Sequence, residues 1–322
     1  MRFDLPVILL MCFAGTVYSQ PPTQNPVGEV ISVKGKAYLR TDGQKPRVLT
    51  SRDKRVRLFP EQLLVCGPQC QITFTIGLAP VTLTQGNYLI PNRIRHPIPL
   101  RGITPAAPNR GDGVILLSPV ERGIGLVRPE SFEFRWRRPK GNDEPIRVAP
   151  LTVSINQCKT DEPIWSRPNI DYGLGSYVDQ EVRSSLKQRQ QRDSRISLEV
   201  VVASASFSKN QRFCFDLMSA LEEKQLNDEL AEFADHSDLV RHAAQAYIFY
   251  RHKLYPEAVD EFDSALQLSP NTDYLIADAI KTYFQLGDED GVETLLRRLE
   301  KISSARELYR EMLILTGPTK NK

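Results

Sequence analysis

The sequence predicts a multidomain chain, β then α: two β-rich domains followed by a short antiparallel helical-repeat domain. Three observations predict it. Apolar and polar residues alternate in short runs between Gly28 and Leu89. The same two-residue period returns beyond Val114, after a stretch rich in Pro and Gly. From Asp216 the apolar spacing becomes that of helices. The 322 residues are enough for two or three such units. The boundaries read as a leader over 1–19, a β domain over 20–90, a linker over 91–113, a second β domain over 114–216 and a helical domain over 217–322.

The leader carries Arg2, an apolar run from Leu5 to Gly15, and small residues at Val17 and Ser19. That is the layout of a secretory signal peptide cleaved after Ser19. The run falls short of the ~20 residues that span a bilayer, and no later stretch is apolar and long enough to do so. Asp4 is unusual for the charged end of such a leader. A lipid anchor at Cys12 is the alternative, but Met11 is larger than the residue that normally precedes an acylated cysteine. The expected location is periplasmic or secreted.

Export bears on the cysteines. Removing the leader leaves Cys66, Cys70, Cys158 and Cys214, an even set that reads as disulfides in an exported chain. Cys70, Ile72, Phe74 and Ile76 alternate with Gln71, Thr73 and Thr75, the period of a half-buried strand. Leu64 and Cys66 share one parity on the run before it, and Gly67-Pro68-Gln69 makes a short turn between the two. The cysteines then face each other across a hairpin mouth. A redox pair wants C-x-x-C at a helix N-terminus, whereas here the spacing is C-x-x-x-C and β-formers follow. A zinc site needs two further ligands, which no neighbouring His or Cys supplies. By elimination Cys158 pairs with Cys214, closing a loop of more than fifty residues.

In the front domain Val30, Val33, Ala37 and Leu39 form short strands broken by Gly35 and Asp42-Gly43. The opening G-x-V-x-x-V-x-G at Gly28, Val30, Val33 and Gly35, the Asp-Gly turn, a strand ending near Leu64 and a closing strand ahead of Gly86 together resemble the FecR-like domain of bacterial envelope proteins. Pro60-Glu61 stands where that family usually has Gly-Asp. The resemblance implies an envelope-facing β domain and carries no implication of iron signalling. Arg52, Lys54, Arg55 and Arg57 form a basic cluster in this domain. One reading is an anionic polysaccharide or cell-wall ligand; the other is a solvated loop and strand edge. Nucleic acid is not expected, because few aromatics are interleaved for stacking. Residues 20–120 hold 13 Lys/Arg against 5 Asp/Glu, and residues 216–322 hold 12 against 21. This asymmetry suits either partner selection or attraction between domains.

The linker has no periodicity and reads as an extended connector. In the middle domain SFEFRW puts Phe132, Phe134 and Trp136 on one face, and LTVSIN alternates Leu151, Val153 and Ile155. With EPIWS, SLEVVVASASF and RFCFDLM this makes at least five strands of a small β-sandwich. The Ser118-Pro119 opening and the F-x-W strand resemble immunoglobulin-like or fibronectin-like envelope domains. Trp136 and Trp165 read as core. The polar stretch EVRSSLKQRQQRDSR (181–195) fits a helical insertion or a flexible loop.

In the rear domain Ala246, Ala258 and Ala265 would let two antiparallel helices approach closely. Phe249, Tyr255 and Phe262 would fill the groove between them, and Pro270 would end the second helix. These seven positions resemble the tetratricopeptide repeat. A second unit keeps Tyr283 and Gly287 but has Val292 and Leu299 at its small positions. Five or six stacked helices are expected, from LEEKQLNDELAEF to SARELYREMLIL. The resemblance implies protein or peptide binding on the concave face; a plain helical cap on the sandwich is the other reading. Asp238 and His242 pair as i, i+4 on a helix surface, and Asp288/Asp290 read as caps. No nucleophile, phosphate-loop, zinc or calcium motif is present and no cofactor is implied. The sequence therefore points to an exported, non-enzymatic scaffold binding protein partners through its helices. The alternatives are an anionic-polymer binder and a thiol–disulfide oxidoreductase using Cys66 and Cys70.

Overall fold

Period-two alternation from Gly28 folds as expected into short antiparallel strands. The computed structural model describes residues 25–41, 44–91, 98, 114–119, 124–137, 149–158 and 163–317. The leader with Ser19 and Cys12, the Asp42-Gly43 turn and all of the linker except Pro91 and Ile98 lie outside these residues. The front unit holds β1 (Gly28–Lys34), β2 (Ala37–Arg40), β3 (Arg47–Leu49), β4 (Arg57–Leu58), β5 (Leu63–Cys66), β6 (Gln71–Ile76), β7 (Ala79–Leu83) and β8 (Gly86–Leu89). Two four-stranded sheets, β4-β1-β6-β7 and β3-β2-β5-β8, enclose Val30, Leu39, Leu64, Ile72 and Phe74. The glycines of the opening motif have separate reasons. A Cβ on Gly28 would stand 1.8 Å from the Thr75 carbonyl oxygen. Gly35 takes φ +82°, and a Cβ there would stand 2.7 Å from the Gln69 carbonyl oxygen. Glu61, in the turn before β5, adopts φ +66°, a conformation in which glycine is far more usual.

The second β unit holds β9 (Ile115–Ser118), β10 (Phe134–Arg137), β11 (Leu151–Gln157), β12 (Pro163–Ile170), β13 (Ser176–Tyr177), α1 (Gln180–Arg189), β14 (Ile196–Ala203) and β15 (Gln211–Leu217). Its sheets run β13-β10-β9 and β12-β11-β14-β15, all antiparallel. Their shared core contains both tryptophans. Trp136 donates its indole N–H to the Tyr172 carbonyl at 2.9 Å, and Trp165 stacks on Phe134. The polar stretch after Asp179 is the helix α1. It contributes Val182 and Leu186 to the core, and Asp179 caps it by accepting from the Glu181 and Val182 amides.

Six α-helices follow β15 among the described residues: α2 (Ala220–Ala231), α3 (Asp238–Arg251), α4 (Tyr255–Leu268), α5 (Asp273–Leu286), α6 (Glu289–Glu300) and α7 (Arg306–Thr316). Ser219 and Glu222 form a capping box at the start of α2. Pro256 stands in the first turn of α4, where a missing N–H costs nothing. Gly287 at φ +74° ends α5. No helix among the described residues is long and apolar enough to cross a membrane.

The three units share cores. Ile31 of β1 and Leu126 ahead of β10 join Met218, Leu226, Phe233, Ala244 and Ile248 in one cluster with α2, α3 and α4. Ala79 of β7 and Ile98 of the linker join Ala243, Tyr247, Leu275 and Ile276 in another. This explains why β6 departs from its half-buried pattern: Thr73 and Thr75 are as buried as Ile72 and Phe74. The β1–β6 face that carries them also carries Ser32, whose hydroxyl donates to Glu232 of the helical unit at 3.3 Å.

Candidate functional site

The cysteines come first. Cys66 and Cys70 are bonded, with sulfurs 2.09 Å apart and Cα atoms 5.4 Å apart across the β5–β6 turn. They are 2% and 3% exposed. The second expected pair, Cys158 and Cys214, is brought together without a bond: Cys158 Sγ lies 3.1 Å from Cys214 Sγ and 3.3 Å from the Leu198 carbonyl.

The basic cluster lies on the turn ahead of β4 and on β4 itself. Arg52, Lys54, Arg55 and Arg57 are all exposed. Arg55 differs from the others, because its guanidinium donates to the Asp235 carbonyl of the helical unit at 3.0 Å. It fastens two units together.

In the helical unit Ala246, Phe249, Tyr255, Ala258, Phe262 and Ala265 are buried. Pro270 follows α4, and its carbonyl accepts from Arg298 at 2.7 Å. Tyr247 meets Phe262 edge to face, and Tyr250 meets Tyr255 likewise. Asp238 and His242 do not pair with each other. Asp238 accepts from Arg241 at 2.6 Å, while His242 Nδ1 lies 2.6 Å from Glu261 of α4, turned inward across the helix pair. Asp288 caps α6 through the Asp290 and Gly291 amides. The close approach expected near Val292 falls on Gly291, where a Cβ would sit 2.2 Å from the Tyr283 ring.

The face of α3 and α5 turned toward the front unit holds the arrangement that sequence reasoning missed. Asp278 and Lys281 of α5 are 0% and 1% exposed. Lys281 Nζ donates to Asp278 Oδ1 at 2.7 Å and to the Ile98 carbonyl at 2.6 Å. Tyr247 of α3 donates its hydroxyl to Asp278 Oδ2 at 2.9 Å. Burial pushes the Asp278 carboxyl up to about 6, against the pull of Lys281 and Tyr247. Burial likewise raises the Tyr247 phenol, and the Asp278 charge adds to the rise. Ala243, Ala246 and Ala277 lie in one apolar cluster with Ala79 of the β6–β7 turn and Ile98, and Leu78 packs against it. Burial raises the Tyr274 phenol, and the Leu78 backbone beside it works the other way. The helical unit thus meets the chain's own Ile98 through its main-chain carbonyl, within an apolar cluster. A sequence signal existed. DYLIADAIKTYFQL is apolar almost all round, as a central helix is, and its Asp and Lys three apart had to be buried together.

A second polar cluster lies between the sandwich and α4. Arg135 bridges Glu133 and Asp260, with both guanidinium contacts to Asp260 at 2.8 Å or less. Ser131 donates to Glu257, whose carboxyl burial holds above its usual range. These are mutually satisfied pairs joining two units. Among the described residues no group of three His, Cys, Asp or Glu side chains is placed to hold a metal ion. Against known proteins, the chain matches no family model and no curated sequence.

Proposed function

We propose that this protein is an exported, non-catalytic scaffold of a bacterial envelope that binds protein partners through its tetratricopeptide-like helical unit, with FecR-like and immunoglobulin-like β domains positioning that unit. The observation that carries the reading is the grip of α3 and α5 on polypeptide. Lys281 takes the main-chain carbonyl of Ile98, and Leu78 and Ala79 pack into the same cluster. A carbonyl acceptor is common to all peptides, so a face built this way suits a protein ligand. The Cys66–Cys70 bond supports a periplasmic or secreted location, since such bonds persist in oxidising compartments. Its burial supports a brace over a thiol-exchange centre, which needs an accessible thiolate. Cross-linking in intact cells followed by mass spectrometry tests location and partner together. The expected result is cross-links from the helical unit to envelope proteins. Cross-links to cytoplasmic proteins alone would overturn the reading.

The anionic-polymer reading has support of its own in the exposure of Arg52, Lys54 and Arg57. It expects salt-sensitive retention on cell-wall material that is lost when these three become Ser. Retention that survives the triple change leaves the scaffold reading alone.

A further inference from the structure

The gripping face is already full. Leu78 and Ala79, at the tip of the β6–β7 hairpin, and Ile98, from the linker, lie in one cluster with the α3 and α5 residues that would meet a partner. Ile98 is 3% exposed and Ala79 is 3% exposed. The contact also has a polar lock. Lys281 has no access to water, and its ammonium is satisfied by Asp278 on its own helix and by one carbonyl from outside it.

We infer that the protein's own β6–β7 turn and Ile98 act as an internal ligand of the helical unit, so that a partner reaches the α3–α5 face only by displacing them. This rests on the reading of that face as the protein-binding site. The chemistry of the lock defines the displacing partner. Removing Ile98 leaves a buried ammonium without its outside acceptor, a costly state. The displacing segment must therefore return an acceptor to Lys281, as a main-chain carbonyl does. The cluster that takes in Leu78, Ala79 and Ile98 is apolar, so the segment's side chains must be apolar as theirs are. It must also be extended enough to present a carbonyl that is not used in its own helix or sheet. The partner class is an extended, apolar polypeptide segment, and charged side chains are excluded from this face.

The test uses two full-length variants chosen to keep volume. Lys281→Met removes the ammonium, and Asp278 takes up a proton in compensation. Tyr274→Phe removes only a hydroxyl on a side chain that packs against the same cluster as Leu78. Thermal melts establish that each is folded. Hydrogen exchange then reads the hold on the turn, and in-cell cross-linking with mass spectrometry reads the partner. The expected result is exchange at the Gly77–Val81 backbone faster by about tenfold in Lys281→Met, a smaller rise in Tyr274→Phe, and cross-linked partner increased several-fold in both. Faster exchange with unchanged partner yield overturns the inference, because the turn then holds without blocking. Unchanged exchange in both variants overturns it too, because the lock then does not hold the turn. Absence of protein cross-links in the parent and in both variants sinks the binding reading as well, which separates that failure from the other two.

Discussion

Asp278 and Lys281 form a fully buried charge pair, and such a pair constrains what can replace it. Taking both charges out of water is expensive, and their mutual attraction with the Tyr247 and Ile98 contacts offsets it. Removing Asp278 leaves the buried Lys281 ammonium without its counter-charge. Asp278→Ala should therefore cost about 3–5 kcal/mol, read as a shift in the urea midpoint. The double change Asp278→Leu with Lys281→Met removes both charges and should be far milder than Asp278→Ala. A double variant less stable than the single one would contradict this account. Gly35 makes a different demand, because its φ of +82° and its approach to the Gln69 carbonyl leave no place for a Cβ. Gly35→Ala should lower stability by about 1–3 kcal/mol with backbone strain as the cause, and a neutral outcome in the same urea titration would refute the strain argument.

Among the elements, α1 shows how a single residue fixes a segment whose composition left it open. Asp179 caps the helix, and the same carboxylate takes the Arg167 guanidinium at 2.8 Å and the Tyr177 hydroxyl at 3.1 Å. Burial works against its charge, and these partners outweigh burial, so the carboxyl stays below its ordinary value. A depressed folded pKa means stability that is present above the unfolded value of about 3.9 and lost as pH falls through the lower folded one. Asn still caps a helix but loses the charge pair. Asp179→Asn should thus be less stable than the parent at neutral pH, and the gap should close as pH drops below about 4. Urea midpoints from pH 7 down to pH 3 check it; a gap constant with pH would argue against the charge. Asp179→Ala removes the cap as well and should cost about 1–2 kcal/mol.

The disulfide ties β5 to β6 across a small loop, so its loss through Cys66→Ser with Cys70→Ser should cost about 2 kcal/mol with an unchanged denaturant slope. The strands and the bonded hairpin were legible because each is a local pattern: period two, a Gly-Pro turn, matched parity. The helix pairing was legible for the same reason, through the spacing of Ala246, Ala258 and Ala265. The burial of Thr73 and Thr75 was not, because it comes from a helical unit some 150 residues away in the chain. The filling of the α3–α5 face by Leu78 and Ile98 was hidden likewise: nothing in either segment announces its contact with Lys281.

Across the whole molecule, the acidic rear finds its counter-charges mostly in the middle unit. Arg135 meets Asp260, Arg128 and Lys187 meet Glu223, and Arg195 meets Glu222. The front unit adds Lys34 to Glu232 at 3.9 Å and Arg55 to the Asp235 carbonyl. Exposed ion pairs contribute little each, so these set orientation, while the shared apolar clusters supply most of the cohesion. Ile31, Leu126 and the α2–α4 residues form one cluster, and the α3–α5 cluster takes in Ala79 and Ile98. Inter-domain contacts usually permit motion unless they are large and hydrophobic, and here each unit completes a core of another. The full chain should therefore unfold in one calorimetric transition with matching calorimetric and van't Hoff enthalpies, because no unit can lose its fold without opening a neighbour's core. The helical segment 217–322 expressed alone has lost Ile31, Leu126, Ala79 and Ile98, and its Lys281 has lost its outside acceptor. It should melt far below the parent, without cooperativity, and bind a hydrophobic dye that the full chain ignores. Three resolved transitions in the full chain, or a cooperative melt of the isolated segment near the parental temperature, would show that the units are merely neighbours and that the grip on the β6–β7 turn carries no structural weight.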